Sequence, residues 1–520
     1  MKKATIIITG FLLIWFAANA QNGLLIQESR TMQSRILGRE VRFSVCLPAN
    51  YYETKQSFPV VYLLHGLGDD ETSWLEYGQI GQYAGKAIAE KEMIPAIFIM
   101  PQGFRTYYVN DYAGTFLYQD MFVKELVPYI DSLFRTIPER EKRAVTGYSM
   151  GGFGAMILPL KHPEIFSVSV PLSMSVRTDA QYMTEDAGGW DEQWGRLFGA
   201  PGLKGEERIT DYYRKNSPFH LFAQMTADDV KNLRIYMDNG DKEQTLCRSN
   251  EELHILMRNR GIPHEYRVRN GGHSFEYWCS ALPNAFRFIS DAFEGKSYRG
   301  DEPAKTGFSE VFDKQILPLE IGGEKFTAVV PDEYGTTDRL YPVLFVNGTF
   351  SFAEIKRIAG LVNFMTDDIM ICPMMLVFLN ENDTSDLNRK INGVGDMLRI
   401  RPGYRFTAIA GFESGAEAVS TSGFSPEKFT AVILSDAYLS VGTIEKLTPM
   451  FDKEVLRRTS FFIDAPDKGD YFAGNGNLHV MLRDKDVYHE YRVREGSVGF
   501  EWFLAGLPEM LQHVSKRFHK

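Results

Sequence analysis

The hexapeptide His264-Glu-Tyr-Arg-Val-Arg269 is written twice in this chain, the second time as His489-Glu-Tyr-Arg-Val-Arg494. Around it other pieces return in the same order. Phe275-Glu276-Tyr277 becomes Phe500-Glu501-Trp502, Leu282-Pro283 becomes Leu507-Pro508, and Pro59-Val60-Val61-Tyr62 becomes Pro342-Val343-Leu344-Phe345. Ordered recurrence of this kind signals two copies of one fold, the second shorter. With 520 residues the chain is too long for one ordinary domain. From Gly295 to Thr306 the apolar periodicity stops, which marks a linker. The expected division is 1–20 as an export signal, 21–295 as one domain, 296–306 as the linker and 307–520 as the second domain.

Within the first copy, apolar runs alternate with helical patterns. Arg39–Leu47 alternates as a half-buried strand, while Phe58–Gly66, Ile94–Met100, Arg143–Thr146 and Phe166–Pro171 read as buried strands. Leu233–Met237 and His264–Arg269 extend the series, and helices are expected over 76–92, 120–134, 249–260 and 282–294. Strands alternating with helices specify an α/β fold: two tandem domains, each a mostly parallel, doubly wound sheet with its site at the carboxyl ends of the strands.

One junction in that pattern carries chemistry. The strand ending at Thr146 runs into Gly147-Tyr148-Ser149-Met150-Gly151, and small and apolar residues follow. This is a strand, a sharp turn and a helix, with Ser149 at the apex. A hydroxyl there stands clear of the backbone beside a helix N-terminus, where developing negative charge is favoured.

A serine hydroxyl is a weak nucleophile until a base takes its proton. The base is expected after Ser149 in the chain, with an acid between the two. His273, in Asn270-Gly271-Gly272-His273, follows a strand on a glycine-rich loop and is the candidate base. The acid is expected after the strand ending at Met237, where Asp238, Asp241 and Glu243 all stand; spacing does not choose among them, though Asp238 is closest to the strand and reads as structural. His65-Gly66-Leu67-Gly68 follows the first buried strand and can present the Leu67 amide, opposite that of Met150, to an oxyanion. Candidate substrate contacts are His65, Tyr108 and Trp190. The last two stand in aromatic stretches able to wall a pocket, although the tryptophans of 174–218 equally suit a small local core.

Composition sets limits on the rest. A net charge of −10 gives no basic footprint for nucleic acid. Lys2 and Lys3, the apolar run from Ala4 to Ala18 and the small-x-small triplet ending at Ala20 form an export signal, so a periplasmic or extracellular protein without a membrane span is expected. No Cys/His cluster suggests a metal, and no cofactor is expected. Four cysteines do not make a disulfide framework; Cys247 and Cys279 are the pair left open.

These motifs resemble the esterase D-like branch of the α/β-hydrolases, which includes feruloyl and acetyl-xylan esterases, S-formylglutathione hydrolase, siderophore esterases and mycolyltransferases. The resemblance covers about 28–293 and rests on His65-Gly66-Leu67-Gly68, Gly147-Tyr148-Ser149-Met150-Gly151-Gly152 and Gly271-Gly272-His273 with Phe275-Glu276-Tyr277-Trp278. It implies Ser149, His273 and, at the position of the family's acid, Glu243 as a triad, with Asp241 in reserve and Leu67 and Met150 as oxyanion donors. It also implies a secreted serine carboxylesterase acting on a carbohydrate-linked acetyl or feruloyl ester, small or polymeric. Acyl transfer to a sugar hydroxyl and a non-catalytic glycan- or partner-binding scaffold are the alternatives. The second copy has Glu413 opposite Ser149, Val498 opposite His273, Asn347 opposite His65 and Gly469 opposite Glu243. It is expected to be catalytically inert, whereas Asp241 and Asp238 face Asp467 and Asp464.

Overall fold

A strand buried along its whole length must be covered on both faces, and Val60–Leu64, Ile97–Pro101, Arg143–Tyr148 and Val168–Leu172 all meet that condition. The computed structural model that shows this describes residues 24–518 apart from 244, 303–306, 337–339, 380–386, 415, 417–427, 449–451 and 457. The expected export signal, 1–20, and the last four residues of the expected linker lie outside the described residues. The chain divides into two units, Met1–Tyr266 with Gly271–Glu302 and Arg267–Asn270 with Pro303–Lys520.

The strands of the first sheet are β1 (Leu25–Ser34), β2 (Arg39–Leu47), β3 (Val60–Leu64), β4 (Ile97–Pro101), β5 (Arg143–Tyr148), β6 (Val168–Leu172), β7 (Arg234–Gly240) and β8 (Glu265–Arg269). They lie in the order β1-β2-β4-β3-β5-β6-β7-β8. The β1–β2 and β2–β4 pairs are antiparallel, and the pairs from β4 through β3, β5 and β6 to β7 are parallel. Alternate residues serve opposite faces, as the strand period of two requires. Val61 and Leu63 join Ile80, Ala84, Ala281, Leu282 and Phe286 in one core. Tyr62, between them, packs on Phe122 and Phe166 with ring centroids 5.4 and 5.9 Å apart. Helices therefore cover both faces, and the sheet is mostly parallel.

The sheet of the second unit repeats this plan. Its strands are β9 (Ile316–Ile321), β10 (Glu324–Val329), β11 (Val343–Asn347), β12 (Met375–Phe378), β13 (Thr407–Phe412), β14 (Ala431–Ser435), β15 (Ser460–Pro466) and β16 (His489–Arg494). The order is β9-β10-β12-β11-β13-β14-β15-β16, with antiparallel pairing at β9–β10 and β10–β12 and parallel pairing elsewhere.

Several elements differ from the sequence expectation. The helix expected over 76–92 is confined to Ile80–Ala89, after Gln79 in a left-handed conformation, and the one expected from Ser249 starts at Thr245. The helix expected from Leu282 starts at Phe275 and runs through Pro283 to Phe293. A proline inside a helix costs about 3 kcal/mol. Burial of Trp278, Leu282, Phe286 and Ile289 on one face of that helix outweighs it. Strand β1 was not anticipated because its exposed residues hide the alternation, and a register shift between Gln27 and Arg30 breaks its pairing with β2.

Candidate active site

Strand β5 delivers Ser149 to the helix Met150–Lys161 through a turn in which Ser149 takes φ 58° and ψ −118°. A non-glycine residue there costs about 1–3 kcal/mol of backbone strain. The turn closes against β3: a Cβ at Gly147 would stand 2.6 Å from the Leu64 carbonyl oxygen, and one at Gly151 would meet the same carbonyl more closely still. Only glycine fits at either place. The Ser149 N–H donates to the Leu172 carbonyl (3.1 Å), and its carbonyl accepts from the Ser175 N–H (2.9 Å). The serine is half-buried, and its hydroxyl makes no hydrogen bond among the described residues.

Three carboxylates stand after β7 and their surroundings separate them. Asp238 accepts from the hydroxyls of Tyr236 (3.1 Å) and Tyr277. Asp241 accepts from the Gly271 N–H at 3.1 Å and so braces the loop that carries His273. Glu243 alone addresses the imidazole. Its Oε1 accepts from the Gly240 N–H (3.0 Å) and from the Ser173 hydroxyl, while its Oε2, buried and otherwise unsatisfied, lies 3.7 Å from His273 Nδ1. That separation is within ion-pair reach and longer than a hydrogen bond, as catalytic contacts often are before a substrate binds.

His273 is 36% exposed and stands edge-on to Trp278, ring centroids 5.0 Å apart. Trp278 also stacks on Tyr148, beside Ser149 in the chain, at 4.1 Å. The imidazole and the elbow thus flank one indole, although no hydrogen bond joins Ser149 Oγ to His273 in this conformation. The indole N–H donates to Ser173 Oγ (2.7 Å), which in turn donates to Glu243. Ser173 and Trp278 are the residues that sequence reasoning missed. Ser173 holds a left-handed backbone (φ 46°) directly after β6, a placement with no signature in a serine.

Met150 opens its helix, whose first N–H groups have no acceptor within the helix. Leu67, 39% exposed, precedes Gly68 in a left-handed turn after β3. Beneath it His65 is 1% exposed. His65 Nε2 accepts from the Gly103 N–H (2.7 Å), which leaves Nδ1–H to donate to the Gly66 carbonyl (2.7 Å). Burial pushes its pKa down, so the ring is neutral.

The three proposed substrate contacts are corrected by burial. His65 spends both nitrogens on the Gly66 carbonyl and the Gly103 amide. Tyr108 is fully buried and donates to the His65 carbonyl (3.0 Å). Trp190 is 1% exposed, and its N–H donates to the Ala200 carbonyl (2.9 Å) under the Arg208 guanidinium. Trp190 belongs to the core of the 174–218 insertion. The exposed ring near the site is instead Tyr77, 5.4 Å from Phe275, which packs on Tyr148 at 4.8 Å. All four cysteines are free thiols, so Cys247 and Cys279 are not joined. Among the described residues no group of His, Cys, Asp or Glu is placed to hold a metal ion, and no helix is long and apolar enough to cross a membrane.

A serine on a strained strand-to-helix turn and a carboxylate against a loop histidine are components of nucleophilic acyl chemistry. Residues 34–289 match the family model described as "Putative esterase". An esterase of Mycobacterium tuberculosis is 29% identical over 280 residues, which are 50% of this chain and 57% of that protein. An endo-1,4-beta-xylanase/feruloyl esterase of Xylanibacter ruminicola is 32% identical over 143 residues, 26% of this chain and 20% of its own. A ferulic acid esterase of known structure is 26% identical, with a TM-score of 0.45, and is matched over 99% of its length by 52% of this chain. The chain thus spans little more than half the length of the mycobacterial relative.

Proposed function

We propose that the first unit is an exported serine carboxylesterase that works through an acyl-enzyme. Ser149 Oγ attacks the ester carbonyl while His273 takes its proton. Glu243 holds the imidazole in one tautomer and stabilises the imidazolium. The amides of Leu67 and Met150 receive the oxyanion, each such donor being worth about 3 kcal/mol of barrier. The imidazolium returns its proton to the departing alcohol, and water, deprotonated by His273, releases the acid. The observation that carries this reading is Glu243 Oε2, kept unsatisfied within the protein and turned to a histidine.

The preferred substrate is a carbohydrate-linked acetyl or feruloyl ester. Tyr77 and Phe275 offer an aromatic face to a planar acyl group, which favours the feruloyl ester. Export rests on the N-terminal signal sequence. Hydrolysis of p-nitrophenyl acetate and methyl ferulate by the wild type and by Ser149→Ala tests the proposal. The variant should lose all but a residue of the activity, and equal rates would remove it. Tyr77→Ala should raise KM for methyl ferulate several-fold and leave the acetate unchanged.

The second unit is proposed to be non-catalytic. Glu413 occupies the apex of its elbow with φ 54°, close to the 58° of Ser149, and Val498 replaces the histidine.

A further inference from the structure

Tyr148 stands one residue before Ser149 and touches both ends of the loop that carries Leu67. Its ring lies against Gly66, where a Cβ would stand 2.5 Å from Tyr148 Cε2. Its hydroxyl donates to Asp69 Oδ2 at 2.6 Å. Between these two points lies the tip of the loop, with Leu67 39% exposed and nothing within 4 Å of the place of a Gly68 Cβ. The tip is open at Gly68, so what fixes it relative to Ser149 is its two ends.

The hydroxyl is enclosed and committed. Tyr148 is 1% exposed, and burial first, then the bond to Asp69, pushes its pKa up, so the phenol keeps its proton and donates it. Ser73 Oγ, 3.2 Å from that hydroxyl, gives its own proton to the Asp70 carbonyl (2.8 Å). The Asp69 carboxylate is the closer acceptor and the charge-assisted one. The ring stacks on Trp278 at 4.1 Å, and Phe275 and Trp74 meet it edge-on at 4.8 and 5.1 Å.

The second unit keeps this packing and drops the polar groups. Its backbone follows the same course, with Glu413 and Asp436 at φ 54° and 44° against 58° and 46° for Ser149 and Ser173. Phe412 precedes Glu413 as Tyr148 precedes Ser149, and Phe503 follows Phe500-Glu501-Trp502 as Trp278 follows Phe275-Glu276-Tyr277. The Phe412 and Phe503 rings lie 4.7 Å apart, so the aromatic contact persists. The phenol hydroxyl and the indole N–H are both gone, and packing alone needs neither. They are present in the copy that carries the serine and the histidine.

We infer, on the esterase reading, that Tyr148 is a positioning residue: through Asp69 it sets the Leu67 amide at the distance from Ser149 that an oxyanion requires. A donor of this kind must lie about 2.7–3.1 Å from the developing charge. A loop end released from its anchor therefore loses stabilisation in the transition state more than in substrate binding.

Hydrolysis of p-nitrophenyl acetate and inhibition by a trifluoromethyl ketone test this. Ser149 Oγ adds to the ketone carbonyl, the serine proton passes to His273, and the alkoxide formed occupies the oxyanion position. Tyr148→Phe keeps the ring. It should lower kcat about tenfold with KM little changed and weaken the ketone by a similar factor, less than the roughly 10²-fold or more of deleting a donor outright. Asp69→Ala should match it, and the double variant should lose no more than either alone. Asp69→Asn, which still presents an acceptor, should lose less than Asp69→Ala. A merely structural hydroxyl would lower the melting temperature and leave the ketone's affinity as it is. Unchanged ketone affinity in Tyr148→Phe, or losses that add in the double variant, would overturn the inference, while hydrolysis by the wild type leaves the esterase reading standing. A wild type that neither hydrolyses the ester nor binds the ketone would remove both.

Discussion

Glu243 Oε2 stands 3.7 Å from Nδ1 of His273, while its other oxygen is tied to the Gly240 amide and the Ser173 hydroxyl. The division of labour is what matters. One oxygen is immobilised, which leaves the other, buried and without a hydrogen-bond partner among the described residues, turned to the imidazole.

The acid is therefore separable from its neighbour by mutation. Glu243→Gln should lower kcat by about 10³-fold or more, the scale of misorienting a triad histidine. Asp241→Asn, which loosens the Gly271 amide, should cost less than about tenfold in kcat and show mainly as lost stability. Steady-state kinetics and thermal melts on the two variants check this, and the reverse order would reassign the acid.

Trp278 has two functions that phenylalanine splits. Trp278→Phe keeps a ring to stack on Tyr148 and to meet His273, but removes the N–H that holds Ser173. A lost hydrogen bond of about 1–2 kcal/mol should appear as roughly a tenfold fall in kcat with KM little changed. An unchanged kcat would show that Ser173 needs no such anchor.

The second unit also holds an arrangement that satisfies triad distances without access. Ser460 Oγ is 2.7 Å from His513 Nε2, and His513 Nδ1 is 3.1 Å from Glu490. Ser460 is fully buried at the start of β15, so no ester carbonyl reaches it. Ser460→Ala should leave ester hydrolysis at the wild-type rate. It should destabilise the protein by about 1–3 kcal/mol by stranding the His513 nitrogen, measured by denaturant unfolding. A loss of hydrolysis would make this cluster functional.

Acid should weaken the second unit through a buried histidine pair. His489 Nδ1–H donates to the Val487 carbonyl (2.8 Å), and His479 Nδ1–H donates to His489 Nε2 (2.9 Å), which requires the His489 ring neutral. Burial lowers the pKa of His489 to about 4 and that of His479 well below its usual value. Between pH 6.5 and 4 the unfolded chain binds protons that the folded one refuses, so stability falls as pH falls through that window. His489 alone accounts for about 3 kcal/mol of the loss. Denaturant midpoints measured from pH 7 to pH 4 should decline, and the decline should shrink in His479→Gln; a flat profile would contradict it.

Much of this architecture is legible in the sequence because it is written in local pattern. Buried parallel strands are apolar runs, and a tight elbow needs glycines at Gly147 and Gly151 where Leu64 closes in. The histidine loop is likewise marked by its glycines. What local pattern does not carry is which side chains end up covered. His65, Tyr108 and Trp190 have the right chemistry to touch a substrate, yet tertiary neighbours bury all three. The choice of Glu243 over Asp241 is also a matter of three dimensions, since it depends on which carboxylate the Gly271 amide claims. Ser173 carries no signal by itself, because a serine with a left-handed backbone looks like any other serine until Asp436 is found in the same conformation.

The most direct test of the central claim is to treat the protein with an organofluorophosphonate and map the adduct by peptide mass spectrometry. The account predicts one phosphonylated serine, Ser149, with labelling and ester hydrolysis lost together and labelling abolished in Ser149→Ala. An adduct on another serine, or undiminished hydrolysis once Ser149 is fully labelled, would contradict it.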